Sequence, residues 1–112
     1  MTCPLPIRGA HIDCRAQMLT FTRLKEIYAD LARWGYNTVL FEYEDRFPFR
    51  GKQHGVAGSD ALTREEIREL NRMARNLGLR IMPLVQCLGH LEYALRVPTF
   101  GRLAEPASDP FK

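Results

Sequence analysis

Hydrophobic positions along the chain alternate between two periods. Leu24, Ile27, Tyr28, Leu31 and Trp34 recur three and four residues apart, the spacing of one helix face. Gly35 follows where a left-handed cap is wanted, so a helix is predicted over about 22–34. A second stripe, Ile67, Leu70, Met73 and Leu77, predicts a helix over about 63–77. Thr63 with Glu66 forms a capping box at its start, and Gly78 closes it. The β-branched and aromatic run Thr38–Glu44 and the apolar run Arg80–Val85 read as strands, the latter a buried one. Gly9–Arg15 reads as a first strand, made unusually polar by His11 and Asp13. A weak last helix is predicted over about 90–97, ended by Pro98. The order is β-α-β-α-β-α.

Such alternation implies a parallel sheet with right-handed crossovers, either an open doubly wound sheet or a (β/α)8 barrel. No glycine-rich phosphate loop follows strand one, where Arg15-Ala-Gln-Met-Leu19 stands, which disfavours the dinucleotide-binding version. His11, Asp13 and Arg15 share one face of strand one, and Glu42 and Glu44 one face of strand two. A barrel mouth lets such residues hydrogen-bond across it, whereas a dry sheet face leaves each unsatisfied at a cost of a few kcal/mol. The expectation is an α/β chain, residues 1–112, forming the first three βα units of a TIM barrel. A whole barrel takes about 250 residues, so the chain is expected to be an amino-terminal piece. The long connection from Glu44 to Leu62 follows strand two. It therefore falls on the catalytic face, where long loops are often lids or binding loops.

Composition narrows the classes. The chain has 112 residues, 46% hydrophobic and 26% charged, ordinary for a globular domain. The net charge is +3, but the arginines at 64, 68, 72 and 75 interleave with Glu65, Glu66 and Glu69. That is a solvated helix face with ion pairs, not a nucleic-acid footprint. No apolar run approaches a membrane span, and the first residues lack the apolar centre of a signal peptide. Cys3, Cys14 and Cys87 are odd in number and lack CxxC spacing, so a reducing, cytoplasmic location is expected.

Candidate chemistry clusters at the strand ends. His11-x-Asp13-x-Arg15 is either a metal-binding strand, with Glu42, Glu44 or His90 as further ligands, or a clamp for substrate hydroxyls in which Asp13 orients Arg15. Glu42-Tyr43-Glu44-Asp45 places three carboxylates in four residues, material for proton transfer. The plainer alternative has Asp45 capping the turn and Glu44 paired with Arg46 or Arg50. Phe47-Pro48-Phe49 beside them reads as loop packing more than as a sugar platform. Gln86, Cys87, Gly89, His90 and Glu92 follow the third strand within seven residues. Gly89 permits a tight turn from which His90 points into the mouth and holds a carboxylate in its charged form. Cys87 has no third group to orient it against His90, so a cysteine nucleophile is disfavoured.

Three of these stretches resemble glycoside hydrolase family 20 in its hexosaminidase-D-like branch: Arg8–Asp13, FEYEDRFPFRG from Phe41 to Gly51, and MPLVQCLGHLEYAL from Met82 to Leu95. Phe100–Glu105 fits as well. The resemblance implies a retaining β-N-acetylhexosaminidase that needs no cofactor or metal. In it the substrate's own 2-acetamido group attacks the anomeric carbon, an Asp orients that group, and a neighbouring Glu serves as acid and then base. That Asp-Glu pair follows the fourth strand; no Asp-Glu dipeptide occurs in this chain, and the pair is expected beyond Lys112. The implied roles here are supporting ones. Asp13 and Arg15 match the region that holds hydroxyls of the terminal sugar, with Asp-x-Arg in place of the common Asp-x-x-Arg. Glu44-Asp45 match the acidic pair after strand two, and Gln86 and His90 the elbow that supports the catalytic centre. Implied partners are an N-acetylhexosamine-bearing glycan and the rest of the barrel. A rival is a metal-dependent barrel hydrolase using His11, Asp13 and Glu42; another is a non-catalytic piece that associates with itself through open sheet edges.

Overall fold

The computed structural model describes residues 4–15 and 17–104; Cys3, Glu105 and Lys112 lie outside them. Strand β1 spans Gly9–Asp13, β2 Thr38–Glu42 and β3 Arg80–Leu84. Helix α1 spans Phe21–Arg33 and α2 Arg64–Asn76, with short helices α3 (Glu92–Leu95) and α4 (Pro98–Gly101) after β3. The three strands are parallel in the order β1-β2-β3. They alternate with helices, so the chain is an α/β fold built from a partial βα repeat, in keeping with an arc of a barrel.

Local sequence accounts for the helices. Thr20 Oγ1 accepts from the Arg23 N–H at the start of α1. At α2, Thr63 and Glu66 form the reciprocal capping box, which satisfies two otherwise unpaired helix donors. Gly35 and Gly78 follow the two helices with φ of 86° and 72°, the left-handed conformation glycine adopts without penalty. Both long helices cover one sheet face. There Ile12, Cys14, Val39, Phe41 and Tyr43 meet Leu24, Tyr28, Leu31, Leu70 and Ala74 in one buried cluster. Strand alternation sends His11, Asp13, Leu40, Glu42, Met82 and Leu84 to the opposite face.

Register is uniform: Gly9, Thr38 and Arg80 are level, and so are Asp13, Glu42 and Leu84. The carboxyl ends of all three strands therefore finish in one row. Arg80 donates its backbone N–H to Asn37 O toward β2, so the N–H groups at 82 and 84 face β2 as well. The missing donor of Pro83 then falls on the outer edge, the place where a strand proline is tolerated.

The structure departs from the sequence reading at several points. β1 stops at Asp13 because the Asp13 side chain accepts from the Arg15 N–H at 2.8 Å, turning the chain. β2 stops at Glu42, since Tyr43 is α-like and Glu44 has a φ of 47°; Glu44 thus opens a 3-10 turn, Glu44–Arg46, and is not a strand residue. Trp34 falls at the C-cap beyond the helical stripe and is 65% exposed. β3 is not buried: it is an edge strand among the described residues, with Met82 47% exposed. Pro98 opens α4 at its first turn as well as following α3.

Candidate functional site

Glu42 anchors the row of strand ends. It is 3% exposed, and each carboxylate oxygen has its own partner. His11 Nε2 lies 3.0 Å from Oε2, and Gln86 Nε2 donates to Oε1 at 2.5 Å. A buried carboxylate needs such donors. Because a carboxylate only accepts, His11 carries a proton on Nε2. A side chain from β1 and one from just beyond β3 thus meet at Glu42, the last residue of β2.

A second contact crosses the same mouth. Arg15 Nη2 donates to Asp13 at 3.3 Å, and Arg15 Nη1 lies 3.1 Å from His90 Nδ1. A guanidinium has no acceptor, so Nδ1 accepts and the ring proton sits on Nε2. His90 itself has a φ of 55°. The elbow therefore turns on His90 and not on Gly89, which lies outside the left-handed region and where a Cβ would meet nothing within 4 Å. His90 pairs with a cation, where the sequence suggests a carboxylate.

Glu44 is the unsatisfied member. It is 8% exposed, and its Oε1 is buried without a hydrogen-bond partner. Neither Arg46 nor Arg50 pairs with it. Burial, and next the negative charge of Glu42, hold its carboxyl above the ordinary carboxylate range. Asp45, by contrast, is fully engaged: it pairs with Arg46 at 3.1 Å and with Arg96, and Arg46 also reaches Asp60 at 2.7 Å. Arg96, paired with Asp45, and Tyr93, beside Glu44, also stand in this region; the sequence reading missed both. Their only signal is an i,i+3 spacing on the short helix after the elbow. Burial raises the Tyr93 phenol and the nearby Glu44 charge adds to it. Glu92 is exposed at the start of α3 and joins none of these hydrogen bonds.

Beside Glu44 a cavity of about 470 Å³ opens between the loop after β2 and helices α3 and α4. Phe47 and Phe49 form part of its wall; they also pack edge-on, Tyr43 to Phe47 at 5.7 Å and Phe47 to Phe49 at 5.2 Å. Among the described residues no group of three or more His, Cys, Asp or Glu side chains is placed to hold a metal ion. His11 and Glu42 touch each other, but Asp13 does not join them in such a group among the described residues. No helix is long and apolar enough to cross a membrane among the described residues. Cys14 is buried, its thiol pushed up to about 11 by desolvation first and by Asp13 next, and Cys87 is exposed; both are free.

The aligned strand ends, with an acid–histidine–amide row and a flanking aromatic cavity, are suited to holding a polyhydroxylated ligand. Comparison with known proteins gives a more specific likeness. Human (Homo sapiens) hexosaminidase D is 34% identical over 107 residues, covering 96% of this chain and 22% of that protein. The chain is similar to part of hexosaminidase D. Bovine (Bos taurus) hexosaminidase D is 33% identical over 104 residues, 93% of this chain and 30% of that protein. The chain thus spans less than a third of the length of these two relatives. No family model matches it.

Proposed function

We propose that the chain supplies the first three βα units of a family 20 β-N-acetylhexosaminidase barrel and holds the terminal N-acetylhexosamine of a β-linked glycan. The likeness to hexosaminidase D along 93–96% of the chain carries this reading. The convergence of Glu42, His11 and Gln86 at the strand ends supports it. In the proposed reaction the acetamido carbonyl oxygen bonds to the anomeric carbon as the glycosidic C–O bond breaks. A Glu protonates the departing oxygen, an Asp stabilises the oxazolinium-like intermediate, and the same Glu then takes a proton from the attacking water, so configuration is retained. The Asp-Glu pair is assigned to a further part of the polypeptide. Asp13 and Arg15 hold sugar hydroxyls, His11 presents Nδ1 as an acceptor, and Glu42 fixes the His11 ring. A reducing, cytoplasmic setting belongs to the same proposal, with the free Cys14 and Cys87 as its support.

The test is direct. Purified chain mixed with p-nitrophenyl N-acetyl-β-glucosaminide or -galactosaminide should release no p-nitrophenol, while the methyl N-acetyl-β-hexosaminides should shift the NMR signals of His11 and Gln86. Release of p-nitrophenol would overturn the assignment of the catalytic pair to another part, and unmoved signals would overturn the sugar-holding role.

A further inference from the structure

A second hollow, of about 410 Å³, opens where the chain enters β1 and β2, at the end of the strands opposite the Glu42 row. Leu5, Ile7, Trp34 and Tyr36 form its walls, and all four are exposed; apolar groups gathered in water commonly mark a binding surface. Arg8 is the one charged residue of the lining. Its guanidinium is fixed in place, with Nε donating to Gly35 O at 2.5 Å and Nη1 to Leu5 O at 2.7 Å. The backbone beneath it is fixed too. Asn37 Oδ1 accepts from the Arg8 N–H at 2.8 Å, and Asn37 Nδ2 donates to Pro6 O at 2.9 Å. The bond to Gly35 O serves the end of α1, as a cation there commonly does. The acid in the last turn of α1, Asp30, is taken by Arg33. Among the described residues Arg8 therefore has no ion-pair partner, and its Nη2 donates to nothing.

We infer that this hollow binds a small aromatic monocarboxylic acid, its carboxylate on the Arg8 guanidinium and its ring against Trp34, Leu5 and Ile7. A guanidinium already held rigid loses little freedom on taking a carboxylate. One fixed cation in an apolar hollow matches a single negative charge, whereas a phosphate dianion would keep a second charge unpaired there. A second copy of the chain, packed through this patch about a twofold axis, would bring Arg8 against Arg8. A peptide would find few partners for its backbone, because the rim is already bonded to itself. Leu5 O and Gly35 O accept from Arg8, Pro6 O accepts from Asn37, and the N–H groups of Gly35 and Tyr36 donate to Ala32 O and Leu31 O. The volume is that of a small-molecule site. The proposed sugar lies at the other end of the strands, so this ligand is independent of the hexosaminidase reading.

Trp34 is the single tryptophan of the chain, so its fluorescence reads the hollow directly. The purified full chain is titrated at fixed ionic strength with phenylacetate, phenylacetamide, acetate and N-acetylglycylphenylalanine. Phenylacetate should give a saturable change and bind about tenfold or more tighter than the uncharged amide, the effect of charge-assisted hydrogen bonds. Acetate, which lacks the ring, should give no saturable change over the same concentrations. Arg8→Gln should erase the preference for acid over amide. Ile7→Glu, at an exposed position that leaves the Arg8 bonds in place, should erase it too by setting a carboxylate in the hollow. The preference is a ratio within one variant, and a folding defect would weaken both probes together. Equal binding of acid and amide by the parent, or a preference that survives both substitutions, overturns the site. Acetate bound as well as phenylacetate means an adventitious ion only and overturns it as well. A peptide bound tenfold tighter than phenylacetate overturns the small acid in favour of a peptide end. No saturable change with any probe overturns the site altogether.

Discussion

Replacing Glu44 by Gly should stabilise the chain, and replacing it by Gln should do so only where the carboxyl is ionised. Two unfavourable features meet at this residue. Its φ of 47° places a side chain in the left-handed region, at about 1–2 kcal/mol for a residue with a Cβ. Its buried Oε1 has no partner, which costs about 1–3 kcal/mol for a polar group withdrawn from water. Glycine removes both, and gives back about 0.5–1 kcal/mol through the freedom it adds to the unfolded chain. Some packing of the Glu44 methylenes is lost too, so the net gain is about 1–3 kcal/mol. For a chain of this size each kcal/mol moves Tm by about 4–8 °C. Glutamine keeps the φ and a polar head but removes the charge. The Glu44 carboxyl is raised above its ordinary value of 4.5 by burial and by Glu42. The folded state therefore holds a proton that the unfolded chain has released, and the penalty grows as pH rises from about 4.5 through the folded value. Urea unfolding from pH 4 to pH 8 should show Glu44→Gln gaining on the parent as pH rises, and the two converging toward pH 4. A flat difference across that range, or a Glu44→Gly variant less stable than the parent, would refute the reasoning.

Thr63→Ala, by removing the capping box of α2, should cost about 1 kcal/mol and lower Tm by several degrees in a circular-dichroism melt, whereas Ser should restore most of it. In a Cys3→Ser background, a thiol reagent should modify Cys87 quickly and Cys14 only on unfolding, given its burial and its thiol near 11; equal rates would contradict the packing of Cys14 under the sheet. Nitrogen chemical shifts should show His11 protonated on Nε2 in the parent and a mixture of tautomers in Glu42→Leu. The outer edges of β1 and β3 have no neighbour among the described residues, so light scattering should show self-association, weakened when Met82 is changed to Lys. A monodisperse monomer at high concentration would argue against that association.

Much of the fold was legible because it is written in short-range chemistry. The stripe from Leu24 to Leu31, the Thr63–Glu66 box and the glycines at 35 and 78 act within a few residues, and each appears as read. Periodicity also put His11, Asp13 and Glu42 on one sheet face. What it could not supply was pairing across the chain. Asp45 and Arg96 are 51 residues apart, and Arg15 and His90 are 75 apart; their meeting depends on how two loops fold over the strand ends. Nor does spacing reveal that Glu44 sits at positive φ, since that conformation is usually advertised by a glycine. β3 was misread as buried because an apolar run looks alike at an edge and at a sheet centre.

The Glu42 row also bears on how the chain finds its fold. Its two donors come from β1 and from just beyond β3, so the carboxylate is satisfied only when both neighbours are in step with β2. If β3 slid by one residue, Gln86 would swing to the helix face and leave a buried oxygen without a donor. A misaligned sheet is thereby penalised at the spot where a ligand would sit. Correct threading of the strands and completion of the Glu42 row become a single event, and a kinetically trapped slip would be identifiable as folded-looking chain in which Gln86 no longer donates to Glu42.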